Sequence, residues 1–153
     1  MIEIVDIRYC RLGTADLEST VRFATENIGL ELVDREAGVA YVRGDERDHN
    51  ICYVEGNPAD QTLGLEVRSF DELDAAESTL GAAGVVTRRG SDAEAAARRC
   101  MAFTNFQDPT GNSIDLVVRP FHSGNQYVPA RDAGITEFSH VGLKTTDAPR
   151  DEA

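Results

Sequence analysis

Histidine and cysteine are the side chains of this 153-residue sequence best suited to holding a metal ion or to catalysis, and there are three of each. The cysteines are odd in number, show no C-x-x-C spacing and lie in apolar, strand-like runs. We therefore expect them to be small buried hydrophobes rather than disulfides or thiolate ligands: Cys10, Cys52 and Cys100. His49 lies in a charged turn and His122 in a polar connection, which predicts a surface position for both. His140 has a different context.

His140 stands in a degenerate repeat of the beginning of the chain. Ile4 to Asp16 (IVDIRYCRLGTAD) aligns without a gap with Ile135 to Asp147 (ITEFSHVGLKTTD), at a constant offset of 131 residues. Identical residues recur at Ile4/Ile135, Leu12/Leu143, Thr14/Thr145 and Asp16/Asp147. Because a sequence repeat indicates a repeated supersecondary unit, a second copy of the opening unit is predicted to begin near residue 135. His140 then takes the place of Tyr9.

The amino-acid composition limits the kinds of partner that the protein can bind. The 27 acidic residues exceed the 15 basic ones, giving a net charge of −12, which repels phosphate backbones and anionic lipid surfaces. We therefore expect neither nucleic acid nor a membrane as a partner. The beginning of the chain carries acids where a signal peptide needs bases, and no run approaches the ~20 apolar residues of a membrane span. A cytoplasmic location is expected.

The first 55 residues predict a β-α-β-β-β unit. Residues 3–12 alternate as a strand, and Gly13 to Asp16 break it and cap a helix. The helix has an apolar stripe and a glycine stop, formed by Leu17, Val21, Ala24, Ile28 and Gly29. Three β-rich runs follow it, at residues 30–33, 39–42 and 50–54.

Residues 61–119 repeat this plan. A strand at 62–67 precedes a helix with a Ser69/Glu72 capping box, and three strands follow, at residues 85–88, 101–106 and 113–118. A short Ala-rich helix at 93–99 opens with a Ser91/Glu94 capping box and ends in cations that complement its dipole, Arg98 and Arg99. Residues 120–134 predict a linker, and residues 135–153 the first strand of a further, incomplete module. The fold class is α+β, with two tandem units forming a cup-shaped mixed sheet and helices outside.

This arrangement resembles the vicinal oxygen chelate superfamily of glyoxalases, bleomycin-resistance proteins and extradiol dioxygenases. The hairpin DPTGNSIDL, Asp108 to Leu116, is its most recognisable feature here. The segment that begins with Phe121 to Gly124 and ends with Arg131 to Leu143 is similar to the module junction of two-module ring-cleaving dioxygenases such as 2,3-dihydroxybiphenyl dioxygenases. In these enzymes a metal-free N-terminal module precedes a catalytic one.

The resemblance implies Fe(II) bound by two histidines and a glutamate in the intact parent protein, with a small aromatic diol as substrate. His140 corresponds to the first iron ligand, on the opening strand of the catalytic module. The matching positions of the first module are Tyr9, Thr62 and Asp115, a poor set of iron donors, so no metal and no catalytic residue is expected there. Counterparts of Thr62 and Asp115 in the second module fall beyond Ala153. The expected family activity is that of a dioxygenase, but this chain alone lacks a complete metal triad.

Two other interpretations stay open. The chain could be a stand-alone protein of the bleomycin-resistance type that binds a small ligand. The orphan strand of one subunit could also pair with another subunit, because exposed strand edges favour such pairing. A homo-oligomer is expected.

Overall fold

A computed structural model describes residues 2–130 and 134–151. These residues group into two compact units, each of which contains one of the predicted β-α-β-β-β repeats. Of the described residues, the first unit comprises 8–61, 121–130 and 134–139, and the second comprises 2–7, 62–120 and 140–151. The fold class predicted from the sequence is confirmed.

The first unit is built from four strands and one long helical segment. Its elements are β1 (Asp6–Thr14), α1 (Leu17–Arg22) with a π-helical continuation (Phe23–Ile28), β2 (Glu31–Glu36), β3 (Val39–Arg43) and β4 (Ile51–Glu55). The strand order is β2-β3-β4-β1, with β1 parallel to β4 and the other pairs antiparallel. The apolar face of the helix packs on these strands, and the buried members are Leu17, Val21, Ala24, Leu30, Ala40, Val42 and Tyr53.

The helix begins and ends as its sequence signals predict. Asp16 caps it by accepting a hydrogen bond from the Ser19 amide (2.9 Å), and Gly29 ends it with a φ of 91°. One expectation was wrong, because Ile28 does not share the buried stripe and is 39% exposed. The Gly29 amide donates to the Ala24 carbonyl, five residues back, and this wider turn rotates Ile28 off the face that a regular α-helix would give it.

The second unit contains β5 (Gln61–Val67), α2 (Phe70–Ala82), β6 (Arg88–Arg89), α3 (Asp92–Ala96), β7 (Cys100–Gln107), β8 (Ser113–Pro120) and α4 (Ala148–Asp151). Its strand order is β5-β8-β7-β6, again with one parallel pair, β5 and β8. The Ser91/Glu94 capping box is formed as predicted, with each side chain accepting from the other residue's amide. At Ser69 only half of the predicted box is formed: the Glu72 amide donates to Ser69 Oγ (3.1 Å), whereas the Glu72 carboxylate accepts from the Arg68 amide (2.9 Å). The buried core is Val67, Leu73, Ala76, Leu116 and Val118.

Several boundaries differ from the sequence expectation. β1 covers Asp6–Thr14 rather than residues 3–12, and α3 covers Asp92–Ala96 rather than residues 93–99. β6 is two residues long rather than four, and Pro120 ends β8 instead of opening the linker. Residues 2–7 group with the second unit, because the Val5 amide donates to the Glu66 carbonyl (2.8 Å) and Glu3 pairs with Arg68. Among the described residues, no helix has the length and apolar content needed to cross a membrane.

Candidate functional site

Tyr9 belongs to a buried aromatic cluster in the first unit, with His49 at its centre. Its ring stacks on His49 with centroids 5.4 Å apart, and Tyr41 on β3 meets the same imidazole edge-on at 5.2 Å. Tyr9 is 1% exposed and Tyr41 2%, so Tyr9 is a core aromatic residue. The prediction that His49 lies at the surface was wrong, since it is only 5% exposed. Its ring packs against both tyrosine rings, although the residues before it, Arg47 and Asp48, are charged. His122 is exposed, as expected.

Thr62 and Asp115 belong to one hydrogen-bonded network in the second unit. Thr62 Oγ1 donates to Ser113 Oγ (3.1 Å), and Ser113 Oγ also accepts from Asn105 Nδ2 (2.9 Å). The same amide group donates to Asp115 Oδ1 (2.8 Å). The structure therefore brings these two predicted positions together, although through Asn105 and Ser113, which sequence reasoning did not single out.

Asp115 is a fully buried carboxylate paired with Arg98. Arg98 Nε donates to Asp115 Oδ2 (2.6 Å), and the guanidinium carbon lies 3.9 Å from the centroid of the Phe103 ring. A buried carboxylate needs such a partner, because an uncompensated charge in the interior is strongly destabilising. Arg98 also donates to the Glu94 carbonyl (3.3 Å), in agreement with the predicted interaction at the helix end. Its main role, neutralising Asp115, was not predicted.

The cysteines fit their expected structural role. Cys52 and Cys100 are buried and Cys10 is partly buried; all three are free thiols. Burial raises the pKa of Cys10 to about 11 and that of Cys100 to about 12. Thiols with such pKa values are almost entirely protonated at neutral pH and are poor nucleophiles.

His140 lies in the segment from residue 134 to 147, in which neither helix nor strand is formed, and it is exposed. The strand predicted for residues 135–147 is thus not formed in this chain. Its assignment as the opening strand of a further module stays a prediction, as does the role of His140 as a metal ligand.

The end of this segment nevertheless repeats the local structure of the opening copy. In the first copy, the Asp16 amide donates to Thr14 Oγ1 (3.3 Å), and Asp16 Oδ1 accepts from the amide three residues later (2.9 Å). In the second copy, the Asp147 amide donates to Thr145 Oγ1 (3.0 Å), and Asp147 Oδ1 accepts from the Arg150 amide (3.3 Å). Each aspartate carbonyl also accepts from the amide four residues later, at 3.1 Å in both copies. The repeat therefore encodes the same helix start twice.

Comparison with known proteins decides the family. The sequence model of the Glyoxalase/Bleomycin resistance protein/Dioxygenase superfamily matches residues 6–116. The chain belongs to this superfamily. The match covers both β-α-β-β-β units, so the resemblance drawn from the DPTGNSIDL hairpin is confirmed.

Individual superfamily members are similar over nearly the whole chain. Biphenyl-2,3-diol 1,2-dioxygenase of Sphingomonas paucimobilis is 29% identical over 158 residues, which cover 97% of this chain and 53% of that protein. An iron-dependent extradiol dioxygenase of Rhodococcus jostii (strain RHA1) is 26% identical, covering 95% and 51%. The crystal structure of a catechol 2,3-dioxygenase superposes with a TM-score of 0.84 at 25% identity, covering 97% of this chain and 56% of that one. The chain spans about half the length of these relatives.

The described residues do not fit the iron that the superfamily resemblance implies. Each oxygen of Asp115 accepts a hydrogen bond from a nitrogen donor, and the nearby guanidinium already supplies the positive charge that a cation would bring. Neutral Thr62 and the buried Tyr9 are weak donors for Fe(II), which prefers imidazole and carboxylate ligands. Within residues 2–130 and 134–151, no three His, Cys, Asp or Glu side chains are grouped closely enough to hold a metal ion. The described residues of this chain therefore provide no site for catalysis by iron.

Proposed function

We propose that residues 1–119 form the N-terminal, metal-free module of an extradiol ring-cleaving dioxygenase, and that residues 135–153 begin its catalytic module. In the intact protein, His140 is the first ligand of Fe(II), and the substrate is a small aromatic diol of the catechol or biphenyl-2,3-diol type. The observation that carries the proposal is the repeated helix start at Asp16 and Asp147. It supports the sequence alignment in which His140 corresponds to Tyr9.

The side chains of the first module support a structural role for it. Where a metal centre of this superfamily would need open carboxylate oxygens, Asp115 is held by Arg98 and Asn105. Where it would need an imidazole, the opening strand has Tyr9, packed against His49. The module keeps the fold of a metal-binding relative, while its polar groups are used for stability.

The dioxygenase activity is proposed from the relatives. The names of the similar proteins specify extradiol cleavage, a biphenyl diol and iron dependence. Because the chain covers about half of each of them, ring cleavage is proposed for the longer protein rather than for this chain.

Anaerobic reconstitution of the purified chain with Fe(II) tests the proposal. Bound iron is measured after gel filtration, and the protein is then exposed to dioxygen with catechol or biphenyl-2,3-diol. We expect substoichiometric iron and no yellow ring-fission product, because a single histidine cannot supply a three-ligand site. The His140→Ala variant is the matched control and should give the same result. One iron per chain together with a ring-fission product would refute the proposal.

The same preparation tests the other interpretations. Calorimetry with hydrophobic aromatic compounds and glycopeptides should show no binding in the micromolar range; micromolar binding would favour a stand-alone protein of the bleomycin-resistance type. Light scattering measures the proposed homo-oligomer. If residues 135–153 exchange between subunits, deleting them should lower the oligomer mass, and an unchanged mass would exclude the exchange.

A further inference from the structure

The predicted linker is anchored on the first unit by the loop at residues 43–50. The Arg43 guanidinium, 1% exposed, donates to the Asn125 carbonyl (3.1 Å). Glu46 accepts from the Tyr127 amide (3.2 Å), and Arg47 forms an isolated β-bridge with His122. Tyr127, 7% exposed, donates from its hydroxyl to the Ile135 carbonyl (3.0 Å), so the anchored region extends into the repeated segment.

Two contacts fix the chain just before His140. Ile135 packs against the apolar core of the first unit, directly over Gly44; a Cβ atom at Gly44 would lie 2.9 Å from Ile135 Cγ2. Three residues later, the Phe138 amide donates to Asp45 Oδ2 (3.0 Å). One contact is apolar and the other polar, and together they define both the position and the register of residues 135–138.

Asp45 is itself rigidly held. It is 6% exposed, its Oδ1 accepts from the Arg47 amide (2.9 Å) and from Asn50 Nδ2 (3.0 Å), and its other oxygen pairs with the Arg47 guanidinium. Asn50 Oδ1 in turn accepts from the Gly44 amide (2.6 Å). The carboxylate that receives the Phe138 amide is therefore part of a closed buried network, which is the kind of support that precise positioning needs.

We propose that Asp45 and Gly44 are positioning residues for the catalytic module, because they set the register in which the chain reaches His140. The inference rests on the proposed function, because His140 requires precise placement only if it is a metal ligand. Two residues span at most about 7 Å of chain, so fixing the Phe138 amide confines the backbone of His140 to a small region. Metal ligands must be held to within about 0.5 Å, which a freely moving linker could not achieve.

Backbone ¹⁵N relaxation and amide exchange of the 153-residue chain test this proposal. In the unmodified chain we expect a protected Phe138 amide and order parameters of at least about 0.8 at Phe138 and His140. Asp45→Asn places an amide group against N–H donors, and Gly44→Ala pushes on Ile135; each should lower both order parameters below about 0.6. Asp16→Asn is the control, because it changes a carboxylate of the same unit that is hydrogen-bonded to Ser19 at the start of α1, and it should leave both order parameters unchanged.

The proposal is overturned by an unprotected Phe138 amide in the unmodified chain, a result that does not depend on how well the variants fold. Unchanged order in both loop variants, or an equal loss of order in Asp16→Asn, would also overturn it. Iron titration measures metal binding, which is independent of amide protection and backbone order. One iron per chain together with ring fission would refute the proposed function even if the Phe138 amide were protected, whereas disordered amides at residues 138–140 would refute this inference alone.

Discussion

The two copies of the thirteen-residue repeat have the same local structure at one end and a different environment at the other. Both begin a helix at their aspartate through the same pattern of hydrogen bonds. Only the first copy forms a strand, with Cys10 to Thr14 paired in parallel with Ile51 to Glu55 on β4. A helix cap is encoded within a few residues, whereas a strand exists only where a neighbouring strand accepts its hydrogen bonds.

Among the matched positions of the repeat, Tyr9 and His140 should differ most in their contribution to the free energy of unfolding. Tyr9→Ala removes a fully buried ring that packs on His49, and should lower the free energy of unfolding by about 3–5 kcal/mol. His140→Ala changes an exposed side chain and should stay within about 0.5 kcal/mol of the unmodified chain. Urea denaturation measures both, and equal losses would show that the two copies are equally integrated into this chain.

At the first position of the repeat, the second copy should contribute more to stability than the first. Ile135 packs on the core of the first unit, whereas Ile4 is 40% exposed. Because Ile135 is only partly buried, Ile135→Ala should cost about 1–2 kcal/mol, below the range for a fully buried isoleucine. Ile4→Ala should cost less than about 0.5 kcal/mol. If thermal unfolding ranked the two variants in the opposite order, the anchoring of residues 135–138 would be in doubt.

A smaller contrast is expected at the threonines before each helix. Thr14 is 9% exposed, and its hydroxyl lies 2.7 Å from Thr20 Oγ1 as well as accepting from the Asp16 amide. Thr14→Val should therefore cost about 1 kcal/mol. Thr145→Val removes the corresponding hydroxyl at an exposed position and should have little effect on urea denaturation. Comparable losses would contradict the view that Thr14 is packed into a core whereas Thr145 is not.

The hydrogen bond from the Phe138 amide to Asp45 should weaken only well below neutral pH. Burial disfavours the charged form of Asp45, but hydrogen bonds from Asn50 and from the Arg47 and Phe138 amides, with the Arg47 charge, outweigh it and lower the pKa of this carboxyl. A lowered pKa means that the carboxylate's contribution is complete above the ordinary value of about 3.9 and is lost as pH falls through the folded-state pKa. Protection of the Phe138 amide should therefore persist from neutrality to about pH 4 and decline below it. A midpoint near pH 6 would point to a histidine instead.

Sequence reasoning was most successful where the signals are local. The Asp16, Ser69 and Ser91 caps, the Gly29 stop and the order of strands and helices could all be read from short patterns. The π-helical turn could not, because Ile28 has the spacing of a regular apolar stripe.

The burial of polar groups was not predictable from the sequence patterns. The loop from Arg43 to Asn50 is rich in charges, which usually indicates solvent exposure, yet Arg43, Asp45, His49 and Asn50 are all buried. Arg98 and Asp115 lie 17 residues apart on different elements, and no periodicity relates them. Burial of such groups depends on which partners the fold supplies, and this information appears only when the strands are assembled.

Reading the coding sequence beyond Ala153 tests the central claim most directly, because Thr62 and Asp115 follow Tyr9 by 53 and 106 residues. The same spacing counted from His140 predicts a histidine near position 193 and a glutamate near position 246, each on a strand of a second β-α-β-β-β pair. A continuous reading frame with both residues near these positions would agree with the account. A stop codon directly after Ala153, or a second module without this histidine and glutamate, would contradict it.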